Sequence, residues 1–326
     1  MKLITFWMLF PALFFNMPQI FAEYENTNGK PIEKSFRDLL EWSTSDVDTK
    51  IDLIELSDDW EEINLEADSN YAIWIGHSTF LIKKNGYTIL TDPVFSERAS
   101  PLKSIGPKRL IPPAIPIDSL PSIDFVTVSH NHYDHLDTAS LKEIFANNPN
   151  AIFVVPAGDK RLLQRKGIKN IFEYEWWDGY KTNNLEIIFT PVQHWSKRGL
   201  FDRNKSLWGG WFFKFEDYSI FHAGDTGYSN DFKETRSRLG SPKYAFIPIG
   251  AYDPEWFMAE SHVNPEDAVQ IMLDLGAENS FGMHWATFKL TDEDTLEPKE
   301  RLDKAISNIN MSNFIAPSPG SVINLD

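Results

Sequence analysis

From Tyr71 onward the chain is built of short apolar runs separated by turn residues. Residues 71–75 and 80–83 read as strands, and the Asn85-Gly86 pair that follows is a tight-hairpin signal leading into a third strand at 87–90. Further strand patterns fall at 125–129, 152–155, 187–190, 208–215, 219–221, 245–248 and 280–283. Helical patterns occupy 140–146, 231–238, 265–275 and 298–308. The third of these has Asn264 as N-cap and Pro265 at its first position. Strands alternate with helices throughout, which favours an α/β layered architecture with helices outside two sheets. A loop rich in Pro, Arg and Lys runs from 95 to 121.

Two stretches ahead of residue 71 break this pattern. Residues 23–70 are acidic and polar, with one apolar stripe, Ile32, Phe36, Leu39 and Leu40, at i, i+4, i+7 and i+8. The stripe predicts a helical segment packed on the main domain, the alternative being a membrane-facing helix. Residues 1–22 begin with Lys2, continue through an apolar stretch interrupted by Thr5 and Pro11, and end on the small residue Ala22. This resembles a secretory signal peptide cut after Ala22. The alternatives are an uncleaved anchor or a buried helix, and Pro11 and Pro18 suit a spanning helix poorly. No later run approaches the ~20 apolar residues of a spanning helix. The expected organisation is a signal at 1–22, a helical segment at 23–70 and one domain over 71–326, in a protein exported to the periplasm or secreted.

Composition narrows the chemistry. The formal net charge of −16 repels phosphate backbones and argues against a nucleic-acid partner. The nearest approach to a basic cluster is Lys197-Arg198, with Arg203 and Lys205 close behind. With no Cys in the chain, thiolate metal sites, disulfides and cysteine nucleophiles are excluded, so metal binding would rest on His, Asp and Glu. The aromatic content, 14% with 11 Trp, serves a core and also suits a site for greasy substrates.

The densest candidate chemistry is Ser129-His130-Asn131-His132-Tyr133-Asp134-His135-Leu136-Asp137, directly after the predicted strand at 125–129. A strand end followed by a tight loop lets consecutive side chains converge. Imidazole and carboxylate are the ligands Zn²⁺ takes when thiolate is absent. Three more candidates each lie just past a predicted strand: His194, Asp225 and His284. All can therefore gather along one edge of the sheets. His77 and His222 read as supporting or core histidines rather than ligands.

The order of these motifs resembles the metallo-β-lactamase fold, a four-layer αββα sandwich carrying one or two metals. The match is closer to the N-acyl-phosphatidylethanolamine-hydrolysing phospholipase D family. It is carried by Leu90-Thr91-Asp92-Pro93-Val94-Phe95, Gly106-Pro107-Lys108-Arg109, the His130–Asp137 loop, Gln193-His194-Trp195, Ala223-Gly224-Asp225-Thr226-Gly227-Tyr228, His262-Val263-Asn264-Pro265-Glu266 and His284-Trp285.

The resemblance implies two Zn²⁺ per chain. His130, His132 and His194 would hold the first, Asp134, His135 and His284 the second, and Asp225 would bridge them. Metals ~3.5–4 Å apart can share a water and lower its pKa toward ~7. The implied reaction is attack of a bridging hydroxide on a lipid phosphodiester, giving phosphatidic acid and an N-acylethanolamine at a membrane surface. Asp134, Asp225 and His262 are the implied catalytic residues. Tyr133, His262 and Arg198 are candidate contacts to the phosphate or head group, weighed against plain packing or solvation. Residues 23–70, and Ser261 where relatives of the resembled family carry Gln, depart from the pattern and bear on acyl-chain specificity. Two alternatives stay open: the same centre acting on another phosphodiester, a lactone or a β-lactam, and a non-catalytic metal-binding protein. The sequence leaves the oligomeric state undecided, a homodimer being one option.

Overall fold

The computed structural model describes residues 24–45, 47–67 and 69–326; residues 1–22, read above as a signal peptide, lie outside them. Among the described residues no helix is long and apolar enough to cross a membrane.

The first sheet is formed by β1 (Tyr71–Gly76), β2 (Thr79–Lys84), β3 (Tyr87–Thr91), β4 (Phe125–Thr127), β5 (Ile152–Pro156) and β6 (Ile171–Tyr174), with helices α1 (Phe36–Thr44), α2 (Thr138–Asn147) and α3 (Lys160–Gln164) in the same half of the chain. The second contains β7 (Gly179–Lys181), β8 (Leu185–Thr190), β9 (Gly210–Phe215), β10 (Ser219–His222), β11 (Tyr244–Pro248), β12 (Asn279–Met283) and β13 (Phe314–Ile315). Helices α4 (Asp231–Leu239), α5 (Glu255–Met258), α6 (Pro265–Leu275) and α7 (Glu297–Asn308) are interleaved with it, and β14 (Val322–Asn324) closes the chain. The sheets are 7-stranded, in the orders β14-β1-β2-β3-β4-β5-β6 and β13-β12-β11-β10-β9-β8-β7. Both mix parallel and antiparallel pairs.

Side chains alternate across the first sheet. Ala72, Trp74, Phe80 and Ile82 point into a core shared with Trp211, Phe213, Phe221 and Phe246 of the second sheet. Tyr71, Ile73, Ile75 and Leu81 point to the opposite face, where Leu141 and Ile144 of α2 and Leu163 of α3 cover them. Strands buried on both faces read as continuous apolar runs, which is how β1 and β2 stand in the sequence. On the far side of the second sheet, Ile271 and Met272 of α6 and Leu302 of α7 join the same core. The result is the layered α/β sandwich expected from the alternation of elements.

Element ends differ from the sequence reading where local chemistry intervenes. Helix α2 starts two residues early because Asp137 caps it, accepting from the Ala139 N–H at 3.0 Å. In the N-terminal stretch, Ser35 and Asp38 form a capping box, so the helix begins at Phe36 and Ile32 lies ahead of it. Ile32 is buried while Leu40 is half exposed. The helix is held through Trp42, whose ring lies against Phe257 at 5.1 Å and whose Nε1 donates to Asp292 Oδ2 at 2.8 Å.

Candidate metal centre

Strand direction places the candidate ligands. Strand β4 runs parallel to β3 and β5, and β10, β11 and β12 run parallel to one another. Strand β8 is antiparallel to β9, which is antiparallel to β10, so β8 and β10 point the same way. The loops after β4, β8, β10 and β12 therefore open on one edge, carrying His130 to His135, then His194, Asp225 and His284.

The loop after β4 is tightly wound. His135 N–H and Leu136 N–H both donate to the His132 carbonyl, at 3.1 and 2.8 Å. Arg198 clamps it from outside: Nη1 donates to the carbonyls of Asn131 at 2.8 Å and Leu136 at 2.7 Å. Its guanidinium also lies 3.9 Å from the Tyr133 ring centroid. The Tyr133 hydroxyl donates to the Arg198 carbonyl at 3.2 Å. Asp225 is approached through Gly224, whose φ is +64 and whose Cβ, if present, would sit 2.6 Å from Ser129 Cβ. Only glycine tolerates both that backbone and that contact.

The side chains gather into overlapping groups whose ligand atoms lie within 4.8 Å of one another: His130 with His132 and His194, His77 with Asp134, His135 and His284, His130 with His135 and Asp225, and His194 with Asp225 and His262. Asp225 sits between them. Its Oδ1 is 3.0 Å from His284 Nε2, and its Oδ2 is 3.1 Å from His135 Nε2, 3.9 Å from His130 Nε2 and 3.8 Å from His262 Nδ1. Asp134 Oδ2 lies 3.1 Å from His77 Nε2 and 3.6 Å from His284 Nε2.

Two observations fit this cluster to cations. The first is that several inward atoms are buried without a well-formed hydrogen bond: His262 Nδ1 has no hydrogen-bond partner, and His135 Nε2, His284 Nε2 and Asp225 Oδ1 meet only as close ion-pair contacts. Buried polar atoms are almost always satisfied, so a concentration of orphans marks a ligand's place. The second is that the outward nitrogens of His135, His194 and His130 are engaged. His135 Nδ1 lies 2.7 Å from Asp92 Oδ2, His194 Nδ1 2.9 Å from the Ser261 carbonyl, and His130 Nδ1 3.0 Å from Ser129 Oγ. Such outer partners fix the tautomer and aim the opposite nitrogen at a metal.

Electrostatics sort the histidines in two. Burial pushes His130, His132 and His194 down, the latter two to about 3, so they are neutral and ready to ligate. Burial opposes charge on His135 and His284 as well. There, however, Asp225 and Asp134 outweigh it, raising His284 to about 9 and His135 well above its usual value. Burial works against the Asp134 and Asp225 carboxylates too, and the neighbouring histidines hold both well below the usual range.

The sequence reading gave no role to Asp92. It is fully buried at the end of β3 with φ +36, and it accepts from Ser129 N–H and Ser129 Oγ at 2.6 Å each while facing His135. Its signal was a lone carboxylate at a strand end, in Thr91-Asp92-Pro93. His77 is closer to the cluster than a core histidine need be. Its ring lies against that of His284, tilted, with centroids 3.9 Å apart, and its carbonyl accepts from His284 N–H at 3.0 Å. His222 stays outside all the groups, with Nε2 2.9 Å from the Ser78 carbonyl. Asn26, in the stretch before α1, was also missed. It is buried, and its Oδ1 accepts from His194 N–H at 3.1 Å and Trp208 Nε1 at 3.0 Å.

A two-sheet α/β sandwich with imidazoles and carboxylates gathered at its strand ends is the architecture of metal-dependent hydrolases. Residues 87–285 match the beta-lactamase superfamily domain, and the chain belongs to that superfamily. It is 37% identical over 266 residues to N-acyl-phosphatidylethanolamine-hydrolyzing phospholipase D 1 of Caenorhabditis elegans, covering 77% of this chain and 75% of the relative. It is 42% identical over 240 residues to the mitochondrial N-acyl-phosphatidylethanolamine-hydrolyzing phospholipase D of Saccharomyces cerevisiae, covering 72% of this chain but only 51% of the yeast protein. A metallo hydrolase from the archaeon Ignicoccus hospitalis shares the fold, with a TM-score of 0.59 at 23% identity over 79% of this chain and 99% of that one.

Proposed function

We propose that the protein is a zinc-dependent phosphodiesterase of the phospholipase D type. It hydrolyses N-acyl-phosphatidylethanolamine to phosphatidic acid and an N-acylethanolamine. The observation that carries this reading is the Asp225 carboxylate, which faces both histidine groups: Oδ1 lies 3.0 Å from His284 Nε2, and Oδ2 lies 3.9 Å from His130 Nε2 and 4.0 Å from His194 Nε2. It is supported by the two relatives named for that reaction.

His130, His132 and His194 would hold one cation and Asp134, His135 and His284 the other, with Asp225 between them. When bound, a cation pair brings the pKa of water toward neutrality and offsets charge gathering on phosphoryl oxygens. The chain's own residues do the rest. His262 aims its unpartnered Nδ1 toward the Asp225 side of the cluster and donates to a phosphoryl oxygen. Tyr133 closes the loop beside it. Arg198 keeps the ligand loop wound through two carbonyls, so it acts on the loop more directly than on a head group. Water adds its oxygen to phosphorus, the bond to the ethanolamide oxygen breaks, and a proton goes to that leaving oxygen. The lipid would be met at a membrane surface, by a chain exported through residues 1–22 and organised as a helical segment at 23–70 on a domain at 71–326.

The test is to incubate the full chain with Zn²⁺ and the lipid, and to identify products by mass spectrometry with metal content measured on the same sample. Phosphatidic acid and N-acylethanolamine in equal amounts support the reading. A metal-loaded protein that leaves the lipid intact but opens a lactone or β-lactam moves the reaction to carbonyl carbon.

A further inference from the structure

Lys34 carries a positive charge into the protein and finds no hydrogen-bond partner there among the described residues. Its Nζ is buried and lies 4.0 Å from the centroid of the Phe257 ring. Burial lowers its pKa to about 8. The carboxylates that act on it are Glu260 and Asp38. Glu260 is exposed, and Asp38 is engaged in the helix cap, accepting from Ser35 N–H at 2.8 Å. A buried ammonium with neither ion pair nor hydrogen bond is costly. A bound anion would complete it.

A second cation stands beside the first. The Arg203 guanidinium stacks over Trp195 at 4.4 Å and donates to the Ile32 carbonyl, two residues ahead of Lys34. Trp195 in turn packs edge-on against His132 at 4.5 Å. The charge of Lys34 is felt by His262, whose Nδ1 is itself buried and unpartnered. Both cations thus flank the His132 and His262 side of the cluster. They lie side by side in a chain of net charge −16, with Glu33 acting on Arg203 as Glu260 does on Lys34.

We propose that Lys34 and Arg203, together with His262, form an anion subsite at the rim of the metal centre that receives a phosphate oxygen of the substrate. The inference rests on the phosphodiester reading above and adds to it a recognition residue from ahead of the matched stretch 87–285. Three ammonium protons and the free guanidinium edge suit an oxyanion through charge-assisted hydrogen bonds.

The test uses the full chain with inorganic phosphate as probe. Binding is measured by calorimetry on wild type, Lys34→Met and Lys34→Arg, with the metal content of each preparation determined. Lys34→Met is expected to weaken phosphate binding roughly ten-fold, with Lys34→Arg restoring most of it, at equal metal content and with no fall in melting temperature. Phosphate binding by Lys34→Met as tight as wild type overturns the subsite. So does a loss confined to preparations that have also lost metal. Should Lys34→Met not fold, Arg203→Gln takes its place in the same comparison, and either of those two results for it overturns the subsite equally. Failure of wild type to cleave the lipid counts against the proposed reaction alone, since phosphate binding is read independently.

Discussion

His135 points Nδ1 at the Asp92 carboxylate, 2.7 Å away, leaving its Nε2 directed at Asp225. The same carboxylate accepts twice from Ser129, so one buried side chain positions both the start and the end of the ligand loop. Replacing Asp92 by Asn keeps the volume and an acceptor for Ser129 but removes the second acceptor that His135 faces. Metal affinity is expected to fall about 10–100-fold. Competition with a chromogenic chelator measures it, and an unchanged affinity would mean that packing alone sets the ring.

The two histidine populations predict proton release on metal binding. In the metal-free protein His284, raised to about 9, and His135, raised well above its usual value, are charged at neutral pH through Asp225 and Asp134. A cation must displace those protons. Near pH 7 loading is therefore expected to release about two protons per chain, and affinity should weaken as pH falls. Because both values are raised, the apo protein gains stability from these ion pairs at low and neutral pH and loses it as pH climbs through the folded value, for His284 near 9. Calorimetry in buffers of different ionisation enthalpy counts the protons, and a count near zero would contradict the assignment.

Removing the metal should cost stability as well as activity. A cation present at about a hundred times its dissociation constant adds about 2.7 kcal/mol to the folded state. Dialysis against a strong chelator is expected to lower the melting temperature and abolish hydrolysis, with both recovering on readdition of Zn²⁺. Asp225→Ala should abolish both the hydrolysis and most of the metal-induced shift.

Asn26 gives a prediction for the stretch ahead of α1. Its side chain is the acceptor for the His194 N–H, while Trp208 Nε1 keeps a second acceptor in the Val192 carbonyl at 3.1 Å. Asn26→Ala strands a buried N–H beside a candidate ligand and should cost about 1–3 kcal/mol in denaturant unfolding. A neutral result would place this stretch outside the cooperative unit.

The parts of this molecule that could be read in the sequence were those encoded by near neighbours. The H-x-H-x-D-H loop is local, and β1, β2 and β3 announce themselves by apolar runs and the Asn85-Gly86 turn. Strands β6 and β7 were missed because they are short and partly exposed, with little apolar signal. Strand β14 was missed because its partner β1 lies at the other end of the domain. Asp92 and His135 are 43 positions apart, and Asn26 and His194 are 168 apart. No spacing rule joins such pairs, since sheet packing alone makes them neighbours. Near α1 the Ser35 cap fixes where the helix starts, and Trp42, outside the apolar stripe, adds an anchor that no periodicity rule picks out.

The candidate ligands are strung between His130 and His284 on the tips of strands from both sheets. A ribosome that has delivered the chain only as far as Asp225 has released His130, His132, Asp134, His135, His194 and Asp225 but not His262 or His284. A second site would close only once β12 brings in His284, so its choice of metal would depend on the ionic surroundings at that later stage.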